Sequence, residues 1–518
     1  MGDRDNLPEL AEGWIWSTLG EVFDVYVGAT PSRQRPEYWK GNIPWVSSGE
    51  VAFCKIRKTR ETITELGLQN MSTTVHSPGT VLLGMIGEGK TRGQVAILEI
   101  AASNNQNSAA IRVSEAGLPP EYIYYFLEGE YERTRRLGSG NNQPALNKSR
   151  VQLMPFPLPP LAEQHRIVAK IEEFFTQLDA GVELLKKLKA KLKRYRQAVL
   201  KAVVEGKLTK DWREAHQGEL EPASVLLERI LKERREKWEA QQLAQMKAKG
   251  KTPKDDSWKL KYKEPVAPDT SDLPELPEGW VWASTQQLGE VQLGRQRSPK
   301  NRSKDYPTKY IRAANITEKG LDLSDVLDME FEPHELERYL LRDGDIVLSE
   351  ASGSPDQVGK PAIWREQIPD CCFQNTVIRL RGLNLSSEYL LIVFKSFYFN
   401  SLFARVAAGV GINHLSANKF CAIAAPLAPL LEQDYIITTF DYHISIADKL
   451  EAIIEVNLKR AERLRQSILK KAFEGKLVPQ DATDEPADKL LERIKAEKAK
   501  REAETKTKKT RKQPGKPK

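Results

Sequence analysis

The chain contains few of the residues that build disulfide frameworks, metal sites or membrane spans. Its 518 residues include only 4 cysteines and 6 histidines. None of them stands in a C-x-x-C pair or at the spacing of metal ligands, so we predict a reducing, cytoplasmic environment and no metal site. No run of about 18 apolar residues occurs, and the charged N-terminus lacks the apolar segment of a signal peptide. We therefore expect no membrane span.

Motifs of common enzymes are also missing, with one partial exception. The chain has no H-E-x-x-H, G-x-S-x-G or N-P-P-Y segment, so we expect no catalytic residue in it. From Gly84 to Thr91 it reads G-M-I-G-E-G-K-T, which fits a phosphate-binding loop. Such a loop must open a helix, whereas the following residues 94–98 look like a strand, so we favour a hairpin. A P-loop NTPase using this segment remains the alternative function.

Charged residues are a prominent part of the composition. Charged residues make up 29% of the sequence and hydrophobic residues 40%, with a formal net charge of +8. This composition is typical of a globular protein of several domains, with a mild preference for anionic partners.

The sequence is duplicated once along its length. Residues 7–16 read L-P-E-L-A-E-G-W-I-W, and residues 273–282 read L-P-E-L-P-E-G-W-V-W. Further on, residues 196–208 (R-Q-A-V-L-K-A-V-V-E-G-K-L) recur as residues 465–477 (R-Q-S-I-L-K-K-A-F-E-G-K-L). The duplication predicts two copies of one repeat, each a globular domain, a long helix and a charged helical extension. The tryptophans that open each domain, Trp14, Trp16, Trp280 and Trp282, are interpreted as buried anchors rather than base-stacking residues.

Two long helices are predicted from apolar residues that recur every seven positions. A second series lies three positions later, at Phe174, Leu188, Tyr195 and Ala202 in the first helix and at Leu450 and Leu464 in the second. Together the two series predict an antiparallel coiled coil within the chain, although each helix packing on its own domain or on a partner stays open. The seam residues are Ile171, Leu178, Leu185, Leu192, Val199, Phe440, Ala447, Ile454, Ala461 and Ile468.

The predicted boundaries follow from these patterns. The first globular domain covers residues 1–162, the first long helix 163–206, and a charged helical extension with a linker 207–272. The second domain covers residues 273–431, the second long helix 432–475, and a charged helical and disordered basic tail 476–518. Strand-like runs mixed with aromatic-rich helical segments predict an α+β fold for both domains.

Polar loops interrupt both globular domains and are the candidate binding sites. Arg, Lys, Asn, Gln and Ser suit contacts with phosphates and base edges, although ordinary surface loops remain the alternative. The candidate DNA-binding residues of the first domain are Ser32, Arg33, Arg35, Lys90, Thr91, Arg92, Asn141, Asn142, Gln143 and Lys148. Those of the second domain are Arg295, Arg297, Lys300, Arg302, Lys304, Lys309, Arg312, Gln357, Lys360, Asn413 and Lys419.

One face of the first long helix is strongly basic. It is either an ordinary solvated surface or a contact with phosphates or with an acidic partner. Its residues are Lys186, Lys187, Lys189, Lys191, Lys193, Arg194 and Arg196.

Three segments resemble one known family, the specificity subunits of type I restriction-modification systems. They are P-L-P-P-L-A-E-Q-H-R-I-V from Pro157, the R-Q-A-V-L-K-A-V-V-E-G-K-L end of the first long helix, and the opening G-A-T-P-S-R…E-Y-W…I-P-W. The resemblance covers about residues 7–480. It implies two target-recognition domains joined by an antiparallel intramolecular coiled coil with pseudo-two-fold symmetry.

The same resemblance implies function and partners. Each domain would read one half of a bipartite, asymmetric site on double-stranded DNA, and the helix pair would fix the gap between the halves. Two modification (methyltransferase) subunits would bring S-adenosylmethionine for adenine methylation. Restriction (motor-nuclease) subunits would bring ATP-dependent cleavage with magnesium. We expect this chain itself to carry no cofactor and no catalysis.

Overall fold

The computed structural model of the chain describes residues 7–87, 89–136, 146–253, 255–296, 307–350, 357–407 and 414–511. The chain divides into two compact units. Unit 1 comprises Met1–Lys186 together with Glu455–Lys518, and unit 2 comprises Lys187–Ile454. Unit 1 thus combines two stretches that are distant in sequence, whereas unit 2 is continuous. Within the described ranges, no helix has the length and apolar character needed to cross a membrane.

A five-stranded sheet forms the centre of unit 1. Its central strand Thr80–Gly84 is buried along its whole length because both faces of the sheet are covered. Val81 and Leu83 pack into the main core, whereas Leu82 packs on the opposite face with Val46 and Ile56. In spatial order the strands are Asp24–Val27, Ser108–Arg112, Thr80–Gly84, Val95–Leu98 and Cys54–Ile56.

Smaller sheets and short helices complete the globular part of unit 1. A three-stranded sheet contains Glu61–Ile63, Trp39–Val46 and Ser103–Asn104, and a two-stranded sheet pairs Ile15–Thr18 with Pro155–Leu158. The α-helices are Leu19–Val22, Glu65–Gln69, Pro120–Gly129, Tyr131–Arg136 and Lys148–Gln152.

Unit 2 repeats this plan with a four-stranded sheet, in the order Gly289–Leu293, Val377–Gly382, Ile346–Ser349 and Pro361–Ile363. A three-stranded sheet contains Leu327–Glu330, Pro307–Ile311 and Cys372–Phe373, and two pairs join Val281–Ser284 with Ala424–Leu427 and Ile316–Thr317 with Gly320–Leu321. The α-helices of the globular part are Thr285–Leu288, Pro333–Tyr339, Ser387–Phe399, Leu402–Ala407 and Ala417–Cys421. The α+β class predicted for the chain is confirmed.

The two long helices are Leu161–Val204 and Leu430–Phe473, and each ends before a glycine with positive φ, Gly206 or Gly475. In unit 1, Ile171 and Ile468 share one core. In unit 2, Val199 and Phe440 share another. In unit 2, Lys189 pairs with Glu451 at 3.7 Å, whereas the later residue Tyr195 bonds the earlier residue His443 at 2.7 Å. The helices therefore run antiparallel, as predicted.

The predicted second series of the seam is confirmed only in part, because Phe174 and Ala202 are half-buried whereas the other members are exposed. Leu188 and Tyr195 are 40% and 38% exposed, and Leu450 and Leu464 are 46% and 48% exposed. The seven-residue series itself is buried or half-buried throughout. A residue three positions later lies roughly 60° around the helix from this row, so two helices alone leave it at the edge of their contact.

Each charged extension packs against the globular domain of the other repeat. The first extension helix, Ala223–Ala248, follows the short helix Lys210–Ala215 and buries Ala223, Leu226 and Ile230 in the core of unit 2. A 3-10 turn, Asp256–Lys261, follows it. The second extension helix, Ala487–Arg511, buries Ala487, Leu490 and Ile494 in the core of unit 1. A compact unit therefore differs from a sequence repeat, because each takes its extension from the other copy.

Candidate nucleic-acid interface

Three polar loops of unit 1, residues 28–38, 85–94 and 137–145, have end or flanking residues that meet at one end of its sheet. The backbone N–H of Ala29 donates to the carbonyl of Asn104 at 2.9 Å, and that of Met85 donates to Asn107 at 2.8 Å. Leu146, which follows the third loop, donates to the carbonyl of Met85 at 3.2 Å. These bonds bring together loops that are far apart in sequence, as a composite binding surface requires.

The loop that resembles a phosphate-binding motif is a hairpin. The strands Thr80–Gly84 and Val95–Leu98 pair antiparallel, and Gly84 and Gln94 are joined by a 2.8 Å backbone bond. The residues after Thr91 enter this second strand instead of opening a helix. Without a helix N-terminus behind it, the segment lacks the anion site that a P-loop needs. The hairpin interpretation is confirmed, and the alternative NTPase function loses its structural basis.

Unit 2 joins its loops through the same set of backbone bonds. Glu350 donates to the carbonyl of Thr376 at 2.9 Å, and Leu415 donates to Glu350 at 2.9 Å. The backbone N–H of Arg295 donates to the carbonyl of Phe373 at 3.1 Å, as that of Ala29 does to Asn104. Glu350 thus takes the structural position that Met85 has in unit 1, which shows that different side chains are presented on one backbone frame.

Buried tryptophans fix the start of each domain to the start of a long helix. The indole Nε1 of Trp14 donates to Glu163 at 2.9 Å, and that of Trp280 donates to Glu432 at 2.8 Å. Burial raises the pKa of the Glu163 carboxyl. Trp16 and Trp282 are less buried, and their Nε1 atoms donate to the carbonyls of Pro8 and Pro274. All four indoles are therefore held by bonds within their own unit, as anchors are.

Comparison with known proteins agrees with this geometry. Residues 11–194 match the family model described as Type I restriction modification DNA specificity domain. This segment is similar to a type I specificity domain. The resemblance predicted from the sequence is thereby confirmed, and so is a role in type I DNA specificity.

Curated relatives extend the similarity along the whole chain. The EcoKI specificity subunit of Escherichia coli K12 is 24% identical over 513 residues, which cover 95% of this chain and 97% of that protein. The StySPI specificity subunit of Salmonella potsdam is 24% identical over 516 residues, with the same coverage of both chains. The EcoAI specificity subunit of Escherichia coli is 27% identical over 510 residues, which cover 86% of this chain and 80% of the relative.

Solved structures share the fold. One chain, from work on complex assembly and conformational transition of the type I R-M system, has a TM-score of 0.62 at 18% identity and covers 91% of this chain and 100% of its own. The HsdS subunit from Thermoanaerobacter tengcongensis has a TM-score of 0.53 at 17% identity and covers 91% of this chain and 99% of its own.

In unit 1, the first loop packs around Trp39. The guanidinium of Arg33 lies 3.8 Å from the centre of this ring and pairs with Glu61, whose pKa it lowers through a hydrogen bond. Trp39 Nε1 donates to the carbonyl of Ser32 at 3.2 Å. Arg35 extends to the Tyr38 hydroxyl at 3.4 Å and remains exposed. Arg33 is thus held in one orientation, but its guanidinium is already paired with the Glu61 carboxylate.

The hairpin loop of unit 1 lies beside the helix Tyr131–Arg136. The Tyr131 hydroxyl donates to the carbonyl of Lys90 at 2.8 Å, and Arg92 donates to the carbonyl of Arg135 at 3.1 Å. These bonds fix the backbone of the loop while the Lys90 side chain stays exposed and Thr91 half-buried. Lys148 opens a short helix and is also exposed.

The candidates of unit 2 are less uniform. Arg295 is only 7% exposed, pairs with Glu335 at 2.8 Å and lies over the Phe331 ring, which makes it part of the domain interior. We therefore exclude it from the interface proposed below.

The other described candidates of unit 2 reach local partners from more accessible positions. Lys309 pairs with Asp328 at 3.4 Å and Arg312 with Asp325, Lys360 donates to Gln357 at 2.5 Å, and Lys419 donates to the carbonyl of Val406 at 2.8 Å. The candidates Asn141, Asn142, Gln143, Arg297, Lys300, Arg302, Lys304 and Asn413 lie outside the described residues.

Sequence reasoning missed one polar pair at the loop junction of unit 2. His414 Nε2 lies 2.5 Å from Glu350 Oε1, and burial raises the pKa of the Glu350 carboxyl. No motif marks this pair, and only the alignment of the two units reveals that it replaces Met85. In the described ranges, no three His, Cys, Asp or Glu side chains are grouped so that they could hold a metal ion.

Proposed function

We propose that this chain is the non-catalytic DNA-reading subunit of a type I restriction-modification complex. Each unit reads one half of a bipartite, asymmetric site on double-stranded DNA. The main support is that both units join three polar loops through equivalent backbone bonds, such as Leu146 to Met85 and Leu415 to Glu350, while the side chains presented differ. One frame with two sets of side chains suits two different half-sites.

The interface that we propose consists of the candidates that lie on or beside these loops and are at least partly exposed. Its described members are Ser32, Arg35, Lys90, Thr91, Arg92 and Lys148 in unit 1, and Lys309, Arg312, Gln357, Lys360 and Lys419 in unit 2. Arg33 joins them if DNA competes with Glu61 for its guanidinium. The candidates outside the described residues stay in the proposal on the strength of the sequence alone.

Modification subunits, in this proposal, dock on the long helices. Apolar side chains on the helix surfaces remain accessible, and such groups mark protein–protein contacts when they cluster. In unit 2, Leu188, Tyr195, Leu450 and Ile453 are 38–56% exposed. The methyltransferase subunits bring S-adenosylmethionine, and restriction subunits bring ATP and magnesium. The antiparallel helices fix the distance between the two half-sites.

Methylome sequencing of cells that express the chain with its modification subunits tests this function. We expect methylated adenines in a split motif with a fixed unread gap. Lys90→Ala should relax the base preference of one half of the motif only, and the matched variant Lys360→Ala that of the other half only. A continuous motif, or two variants that act on the same half, would contradict the proposal.

A further inference from the structure

The two long helices differ in charge at equivalent positions. Residues 186–196 of the first carry seven basic residues and no acidic residue. The equivalent residues 455–465 of the second carry four basic and two acidic residues. Part of this difference serves the pairing of the helices, because Lys189 pairs with Glu451, but the basic residues that face solvent need a separate explanation.

Three of the basic residues form one exposed row in unit 2. At about 100° per residue, Lys187, Lys191 and Arg194 lie within roughly 60° of one another around the helix, and between roughly 100° and 160° from the seam residue Leu192. All three are exposed, whereas Leu192 is half-buried. The row therefore lies away from the second long helix.

The row is also electrostatically uncompensated. Other cations of the segment have acidic partners: Lys189 pairs with Glu451 at 3.7 Å, and Arg196 pairs with both Asp448 and Glu451 at 2.6 Å. Within the ranges that the structure describes, no ion pair involves Lys187, Lys191 or Arg194. Three like charges on one helix face disfavour each other, so an anionic ligand stabilises them.

Spacing favours a nucleic-acid backbone as that ligand. From Lys187 to Arg194 the helix rises by about 10 Å. One strand of B-DNA carries a phosphate about every 3.4 Å along the axis, so the row spans about three phosphates. Long flexible lysine side chains suit such contacts because they need no fixed geometry.

We propose that Lys187, Lys191 and Arg194 bind the phosphate backbone of the unread DNA between the two half-sites. This inference rests on the proposed function, because it assigns the helix pair a share of DNA affinity besides its spacing role. The contact carries no base information, so it raises affinity for every sequence equally.

The test compares two triple variants that remove the same charge from different helices. The first is Lys187→Gln, Lys191→Gln and Arg194→Gln, and the control is Lys232→Gln, Lys247→Gln and Lys249→Gln, at exposed positions on and just after the first extension helix. Each is assembled with the modification subunits. Binding is measured between low and moderate salt to a labelled duplex that carries the motif found by methylome sequencing, and to one with both half-sites scrambled.

For the first variant, the slope of log K against log salt should become less steep by about 0.9 for each phosphate that is no longer neutralised, or by about 2.7 in total. Affinity at low salt should fall at least tenfold on both duplexes, with the ratio between them unchanged. For the control variant, the slope should change by less than the effect of a single phosphate.

Three outcomes would overturn the inference. Equal slope changes in both variants would indicate a general effect of net charge. An unchanged slope in the first variant would exclude phosphate binding by this row. Loss of assembly with the modification subunits, together with a normal slope in whatever complex forms, would indicate an acidic protein partner. If the unmodified complex bound neither duplex in a salt-dependent way, the proposed function itself would fail.

Discussion

Units 1 and 2 pack the start of the domain against the start of a long helix in the same way, but with different charged partners. At the start of each long helix a buried glutamate accepts a bond from a tryptophan, Glu163 from Trp14 and Glu432 from Trp280. In unit 2 the carboxylate also pairs with Arg213 at 2.7 Å, whereas in unit 1 burial raises the pKa of Glu163. A duplicated frame thus keeps its geometry while the electrostatic balance of each copy is set separately.

A second charge difference lies where the aromatic-rich helix of each domain meets the long helices. In unit 1, Glu128 pairs with Arg465 at 3.1 Å. Its equivalent in unit 2 is Lys395, whose pKa is lowered by burial, and Arg196 turns instead to Asp448 and Glu451. A reversal of sign at one position is therefore matched by new partners nearby, so helices and domains cannot be exchanged freely between the units.

The largest effect that we expect comes from removing the second extension helix. A chain that ends at residue 486 loses Ala487, Leu490 and Ile494 from the core of unit 1, at a cost of roughly 5 kcal/mol of stability. Hydrogen exchange should accelerate throughout unit 1 and stay unchanged in unit 2. A chain that ends at residue 503 keeps these contacts and serves as the control. Equal acceleration in both units would contradict the assignment of this helix to unit 1.

The second-largest effect that we expect is a difference in stability loss between glutamine variants of the two equivalent glutamates. Glu432→Gln leaves the Arg213 guanidinium buried without its carboxylate, which typically costs about 3–5 kcal/mol. Glu163→Gln keeps an acceptor for Trp14 and removes a charge that burial already disfavours, so we expect a loss of about 1 kcal/mol or less. Thermal unfolding of both variants measures the difference. Losses of equal size would mean that Arg213 does not depend on Glu432.

The sequence predicted some parts of the fold and missed others. The period of seven and the repeated segments were sufficient for the long helices, because both signals are local. The partners of the extension helices were missed, although Ala223, Leu226 and Ile230 have the spacing of one buried helix face. The face was not recognised in the sequence because most of the neighbouring residues are charged. In the loops, the partners Glu61 of Arg33 and Glu335 of Arg295 are distant in sequence, so composition alone could not separate accessible from buried arginines.

Acid should affect unit 1 more than unit 2. His76 is fully buried, and burial, with the nearby Arg112 charge, lowers its pKa to about 4. Its stabilising contribution is complete above the unfolded pKa of about 6.5 and is lost as the pH falls towards 4, by at most about 3 kcal/mol. Leu341, which makes the equivalent backbone bond in unit 2, does not titrate.

Limited proteolysis at about pH 5 and at about pH 7.5 measures this difference. Cleavage within unit 1 should increase at the lower pH, and His76→Gln should weaken that dependence. If the variant keeps the full pH response, other groups in unit 1 are responsible.

The smallest difference concerns the surface between each long helix and the segment that follows the other. In unit 1, Arg166 pairs with Asp484 at 2.6 Å, and in unit 2 the equivalent Tyr435 stacks on Trp212 with ring centres 4.7 Å apart. Arg166→Ala should cost about 0.5–1 kcal/mol at low salt and less at high salt. Tyr435→Ala should cost about 1 kcal/mol at either salt concentration. Melting temperatures of both variants at two salt concentrations measure these losses. If both losses depended on salt to the same extent, the contrast between an ion pair and an aromatic stack would be wrong.

The split composition of unit 1 has a consequence for synthesis on the ribosome. Its first stretch ends at Lys186, but the core residue Ile494 emerges only about 300 residues later. At a translation rate of about 5–20 residues per second, the apolar surface that this helix covers stays exposed for roughly 15–60 s. The downstream unit, whose residues are contiguous, is completed before the one translated first. Nascent chains of this protein should therefore need chaperone protection at their N-terminal half.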